Sequence, residues 1–211
     1  MKKSKLTVAI AVTTALLLVA VYTQHHSTDS VQPHQYPDRT IFGLYGNVSQ
    51  VISSTDRNGQ ERHDTIIFSK EGEVAAAHTF EGKDIFIELK RNSKDYIIAY
   101  SINCNDYNVQ LVYTSVTYNN AGKPDEITST WYGDFTVTEK LFYGNDGCIS
   151  KKISTATSEG LQETIDYKYT VHDSHGNWTE RECTATVEDT DNTTQTVLQT
   201  KYTEKRRISY Y

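Results

Sequence analysis

The densest group of metal-type ligands in the chain is His172, Asp173 and His175. Asp173 and His175 on one tight turn could give zinc two ligands, and zinc would need one or two more from a distant segment. The same residues also read as a plain turn, opened by Asp173 bonding to nearby backbone and closed by Gly176. The turn reading is preferred, because the pattern recurs elsewhere in the chain without His. The acidic stretch Glu188-Asp-Thr-Asp-Asn-Thr193 lacks the central Gly and the closing Glu of a calcium loop, so it reads as a solvated hairpin loop. There is no G-x-S-x-G elbow, no H-E-x-x-H and no phosphate-binding Gly-Lys loop. Asp125 and Glu126 adjoin a turn and read as solvent-facing. No catalytic, cofactor-binding or metal residue is assigned, and no cofactor is expected. A small metal-dependent hydrolase built on His172, Asp173 and His175 is the alternative.

Cys104, Cys148 and Cys183 are the only cysteines, and none forms a C-x-x-C pair. Three is odd, so at least one is free or pairs between molecules. The intramolecular pairing expected is Cys104–Cys183, with Cys148 left over. His25, His26 and His34 lie in a polar stretch with no frame to hold a metal, so they read as linker. Tyr100, Tyr107, Tyr113, Tyr118, Trp131, Tyr132, Phe135, Phe142 and Tyr143 crowd the middle third. Such rings either fill a β core or form a face for glycan or protein, and the core is preferred. Lys205-Arg-Arg207 reads as ordinary strand-face charge set against Glu180 and Glu182.

The elements that position these residues are strands. After residue 38 the hydrophobic pattern alternates at period two, and a helical period is hard to find. In Thr164–His172, Ile165, Tyr167, Tyr169 and Val171 fall on one face, with Thr164, Asp166, Lys168, Thr170 and His172 on the other. Turn signals separate the runs, among them Asp56–Gly59, Lys70–Gly72, Glu81–Lys83, Asn119–Gly122, Gly144–Gly147 and Asp173–Asn177. The spacing predicts ten to thirteen strands. A repeat runs through it: an aromatic stands four residues before a turn Gly in Phe68…Gly72, Tyr118…Gly122 and Tyr143…Gly147, and His172…Gly176 has His there. Two residues after each Gly come Val74, Pro124, Ile149 and Trp178. The aromatic and the later residue are predicted to face each other across a hairpin, with Pro124 as the exception. The fold class expected is all-β: consecutive antiparallel hairpins in a meander, forming a curved, partly open or barrel-like sheet after an N-terminal signal or anchor helix.

Lys2, Lys3 and Lys5 precede an uncharged run from Leu6 to Tyr22. This is the layout of a secretory signal, and its length borders on that of a spanning anchor. Residues 1–25 are therefore read as signal peptide or membrane anchor, 26–38 as polar linker and 39–211 as a single domain. Any inner-membrane contact is expected through residues 6–22 alone. The formal charge is −6, and without the three leader lysines 18 basic residues face 27 acidic ones. That balance opposes a nucleic-acid partner. It also opposes docking on anionic lipid.

The unit His172-Asp-Ser-His-Gly-Asn177 resembles the YD repeat of RHS-type surface proteins, with His for Tyr. Asp173-Ser174-His175, the following Cys183 and the terminal Tyr210-Tyr211 resemble the YnfC-like family of enterobacterial envelope lipoproteins, over about residues 165–211. The family's lipid-attachment Cys is missing here, so no lipid anchor is carried over. The resemblance implies an exported β protein with no assigned activity. The expected function is that of a non-catalytic structural or binding module of the cell envelope, facing the periplasm, with an envelope protein or glycan as partner. The alternatives are the hydrolase above and a carrier of an apolar ligand.

Overall fold

The computed structural model describes residues 37–57, 59–78, 85–104, 109–132, 134–156, 159–189 and 198–211. The leader, the linker histidines and the Glu188–Thr193 loop beyond Asp189 lie outside the described residues. One helical turn, α1 (Asp38–Ile41), precedes twelve strands: β1 (Val48–Arg57), β2 (Gln60–Phe68), β3 (Val74–His78), β4 (Ile85–Arg91), β5 (Ile97–Cys104), β6 (Val109–Tyr118), β7 (Pro124–Trp131), β8 (Phe135–Tyr143), β9 (Ile149–Ala156), β10 (Leu161–His172), β11 (Trp178–Asp189) and β12 (Leu198–Tyr210). They form one antiparallel sheet in the order β3-β2-β1-β12-β11-β10-β9-β8-β7-β6-β5-β4. Sequential strands are neighbours throughout, apart from the β1–β12 pairing that joins the two ends of the chain and the break between β3 and β4. The sheet is thus the expected meander, curled but not closed.

Five hairpins share one turn. In each, the first residue's N–H donates to the carbonyl four residues on, and the fourth residue's N–H donates back to the first residue's carbonyl. The turns are Ser69–Glu73, Asn92–Tyr96, Asn119–Lys123, Gly144–Cys148 and Asp173–Asn177. The fourth residue has positive φ each time: Gly72, Asp95, Gly122, Gly147 and Gly176. This is a three-residue loop with a left-handed bulge residue, which suits Gly. Asp is among the few side chains that tolerate that conformation. The aromatic and the residue two after the Gly are cross-strand partners, as the repeat predicts: Phe68↔Val74, Tyr143↔Ile149 and His172↔Trp178. Pro124, which breaks the run of large apolar residues at this position, still pairs with its aromatic, Tyr118↔Pro124. The fifth copy, Arg91↔Ile97, carries neither the aromatic nor the Gly.

These turns lie at one end of the strands, and hydroxyls lash them in series. Tyr118 donates to the Ile97 carbonyl at 2.6 Å, Tyr143 to Pro124 at 2.7 Å and Tyr169 to Ile149 at 2.7 Å. The free edges, β3 and β4, are bridged at the same rim by α1. Asp38 accepts from the Val74 N–H at 2.8 Å and from Arg91 Nη1 at 2.7 Å and Nη2 at 2.9 Å. Asp38, assigned to the linker from the sequence, has a wholly buried side chain. Arg39 adds hydrogen bonds to the carbonyls of Val48 at 2.9 Å and Ser69 at 2.5 Å. A core of Leu44, Val48, Val51, Ile66, Phe68 and Val74 fills the space beneath.

Two register details differ from the sequence expectation. Val171 was placed with Ile165, Tyr167 and Tyr169, but it is 47% exposed. Register shifts on both sides of it turn it outward. The Cys104–Cys183 pairing is not formed, since Cys183 is a free, buried thiol on β11. Cys104 lies on β5, with five strands between it and β11 in sheet order, and its side chain is outside the described residues. Burial pushes the Cys183 thiol up to about 12, so it stays protonated and unreactive.

Candidate functional site

The outward face is wet. Lys140 pairs with Glu126, Lys151 with Asp166, Lys168 with Glu182 and Lys205 with Glu180, at 3.0–3.8 Å. Such exposed pairs add little stability. They do mark a surface unlike the apolar band of a lipid-facing barrel.

The inward face encloses one cavity of about 270 Å³, to which every one of the twelve strands contributes. Its wall is divided by chemistry. Val116, Ile127, Leu141 and Ile149 form an apolar part, with Tyr143 packed against it. Glu139, Lys152, Arg181, Glu204 and Arg206 form a charged part. Period-two alternation delivers both, because each strand sends every second side chain inward regardless of polarity.

The inner charges are mostly satisfied by one another. Lys152 Nζ donates to Glu139 Oε1 at 2.6 Å, and Ser154 Oγ to the same oxygen at 3.2 Å. Burial pushes the Lys152 ammonium down, but Glu139 more than offsets it, so Lys152 stands above its ordinary value. Arg181 Nε donates to Glu204 Oε2 at 2.6 Å, and Nη2 also contacts that oxygen. The Arg181 guanidinium lies 3.9 Å from the Tyr167 ring centroid and 4.3 Å from that of Trp178. Deeper in, Arg57 Nη2 donates to Glu163 Oε1 at 2.6 Å.

Arg206 is different. Its guanidinium stacks 3.7 Å over Trp178; like Arg57 it has Nε and Nη1 buried without a hydrogen-bond partner, but unlike Arg57 it has no ion pair among the described residues. Burial and the nearby Arg181 lower its proton affinity to about 9. The sequence reading set Lys205, Arg206 and Arg207 together against Glu180 and Glu182. Lys205 does pair with Glu180, at 3.5 Å. Arg206, one residue on, faces the cavity instead.

The His172, Asp173 and His175 cluster resolves into a turn with other duties. Asp173 Oδ1 accepts from the backbone N–H groups of His175 and Asn177, both at 2.9 Å, and Oδ2 accepts from the Tyr210 hydroxyl. His175 is exposed, yet its ring stacks on Tyr210 at 4.0 Å. His172 sits 6.2 Å from the Tyr169 ring. Among the described residues no three His, Cys, Asp or Glu side chains gather to hold a metal. Asn177 is buried, its amide oxygen accepting from Tyr45 N–H (2.6 Å) and its Nδ2 donating to the Tyr45 carbonyl (2.9 Å) and the Tyr210 hydroxyl (2.7 Å). Tyr211 donates to the Phe68 carbonyl. The turn and the terminal Tyr-Tyr thus form one latch between β10–β11, β12 and the segment ahead of β1.

That latch is acid-sensitive. Burial raises the Asp173 affinity for protons, but bonds from Tyr210, Asn177 and His175 outweigh it, leaving the carboxyl below its ordinary value. A carboxylate with a lowered folded value contributes stability above its unfolded range near pH 4 and loses it as pH falls through the folded value. Asp173→Asn is therefore expected to cost about 0.5–1.5 kcal/mol at pH 7. The deficit should shrink toward pH 2. Urea midpoints of both proteins across that range check it.

The middle-third aromatics divide. Tyr100, Tyr118 and Tyr143 line the cavity, whereas Tyr113, Tyr132 and Phe142 are exposed. Tyr107 lies outside the described residues.

No family model and no curated protein matches the chain. Among solved structures it is similar to a porin-like protein from Bacteroides uniformis, at 12% identity and a TM-score of 0.44 over 77% of this chain and 98% of that one.

Proposed function

We propose that the chain is an exported bacterial cell-envelope protein whose curled sheet is a non-catalytic binding module for a small ligand held in its interior. One observation carries this reading: the twelve strands enclose a cavity whose wall joins an apolar part to a buried guanidinium with unused donors. Pockets of this kind, mostly apolar with a few convergent polar groups, are the usual form of small-molecule sites. Export is supported by Lys2, Lys3 and Lys5 ahead of the uncharged run from Leu6 to Tyr22. Membership of the YnfC-like family, with a distant likeness to YD repeats, belongs to the same proposal. It is supported by Asp173-Ser-His175, Cys183 and Tyr210-Tyr211. The exposed Tyr113, Tyr132 and Phe142 could seat an envelope protein or a glycan on the outer face.

The test is to fractionate cells producing the full chain and to identify small molecules released on denaturing the purified protein. A periplasmic or membrane-bound protein releasing a stoichiometric small molecule supports the proposal. A cytoplasmic protein would refute the export half.

A further inference from the structure

Among the described residues Arg206 has no carboxylate of its own in the cavity wall: Asp64 is paired with Arg62 and Glu139 with Lys152. Glu204 is the carboxylate beside Arg206 on the inner face of β12, and it is committed to Arg181 through Nε at 2.6 Å and Nη2. Lys123, also in the wall, donates to the Gly147 carbonyl at 2.7 Å. Arg206 keeps Nε and Nη1 buried and unmatched above Trp178. A buried cation without a counterion is costly, and a partner removed from such a pair leaves that cost exposed. The arrangement therefore looks like half of an ion pair whose other half comes with a ligand. Elsewhere in the wall, Val116, Ile127, Leu141 and Ile149 offer hydrocarbon side chains. The volume of about 270 Å³ suits one small molecule.

We propose that the cavity binds a small amphipathic anion, its carboxylate pairing with the Arg206 guanidinium where that side chain lines the wall and its hydrocarbon lying on Val116, Ile127, Leu141 and Ile149. This rests on the reading of the cavity as a ligand site, and it names the class of ligand. A guanidinium suits the headgroup because it stays charged and presents flat, directional donors to an oxyanion. Trp178, 3.7 Å beneath the guanidinium, holds it in position.

Calorimetric titration of the full chain with dodecanoate and with dodecanol separates the claims. The wild type should bind dodecanoate at least about tenfold more tightly than dodecanol, equivalent to about 1.4 kcal/mol. Arg206→Met should bring dodecanoate down to the dodecanol level, leaving dodecanol within about threefold of wild type. Its melting temperature should be no lower than wild type, since the variant removes an unpaired buried charge. Should that variant fail to fold, Arg206→Lys keeps a cation and should keep a preference for dodecanoate. Equal binding of the two ligands by the wild type, or a preference that survives in Arg206→Met, would overturn the anion site while the cavity reading stood. Binding of neither would take down both.

Discussion

Asp38→Ala is expected to destabilise the protein by about 3–5 kcal/mol, the range for breaking a buried charge pair from one side. Asp38 is wholly buried and accepts three hydrogen bonds from two strands that do not otherwise pair in the sheet. Its loss unmakes an acceptor for the Val74 N–H and withdraws the carboxylate opposite Arg91. Arg91 retains the Asp95 carbonyl at 2.7 Å and Glu73 at 3.5 Å, which keeps the effect from exceeding that range. Asp38→Asn preserves the geometry without the charge and should cost about half as much. Urea unfolding of both variants measures this. A loss under about 1 kcal/mol for the alanine variant would mean that α1 does not hold the sheet edges.

Glu139→Ala is expected to cost a similar amount, about 3–5 kcal/mol, for the same physical reason inside the cavity. Glu139 is 2% exposed, and both Lys152 and Ser154 donate to its Oε1. Removing the carboxylate takes the Glu139 counter-charge and hydrogen bond away from the largely buried Lys152 ammonium. The pair is not itself a large net gain, because desolvating two charges offsets most of their attraction. Glu139→Leu combined with Lys152→Met should therefore come within about 1 kcal/mol of wild type, while either single change is strongly destabilising. Additive losses in this double-mutant cycle would show that the two groups act independently.

Much of the architecture was legible in the residues. The alternation of Ile165, Tyr167 and Tyr169 reported a half-buried strand because the outer face of β10 is polar from Gln162 to Thr170. The repeated turn Gly reported hairpins because few residues accept positive φ. The fifth copy escaped because Arg91 and Asp95 stand where the pattern has aromatic and Gly, and only the backbone shows the shared turn. Asp38 escaped because a lone acid beside Pro37 looks like linker; its partners are 36 and 53 residues away. The cavity charges were the least legible. Inside-apolar reasoning assigns Glu139, Lys152, Arg181 and Arg206 to the surface, since charged residues are seldom buried unless paired. Only the register places them on the inner face. A charged side chain at an inward period-two position was the available signal, and Arg206, two residues from Glu204 on the same face, is the clearest instance.

The most direct test of the ligand-binding cavity uses the chain's two tryptophans, Trp131 and Trp178. Trp178 stacks on Arg206, so a heavy atom near the ligand headgroup must come close to it. In Trp131→Phe, bromododecanoate brominated beside the carboxylate should quench the remaining fluorescence saturably, and more strongly than the isomer brominated at the far end. In Trp178→Phe that quenching should be lost. Absence of saturable quenching in Trp131→Phe, or equal quenching in Trp178→Phe, would contradict a ligand seated with its charge on Arg206.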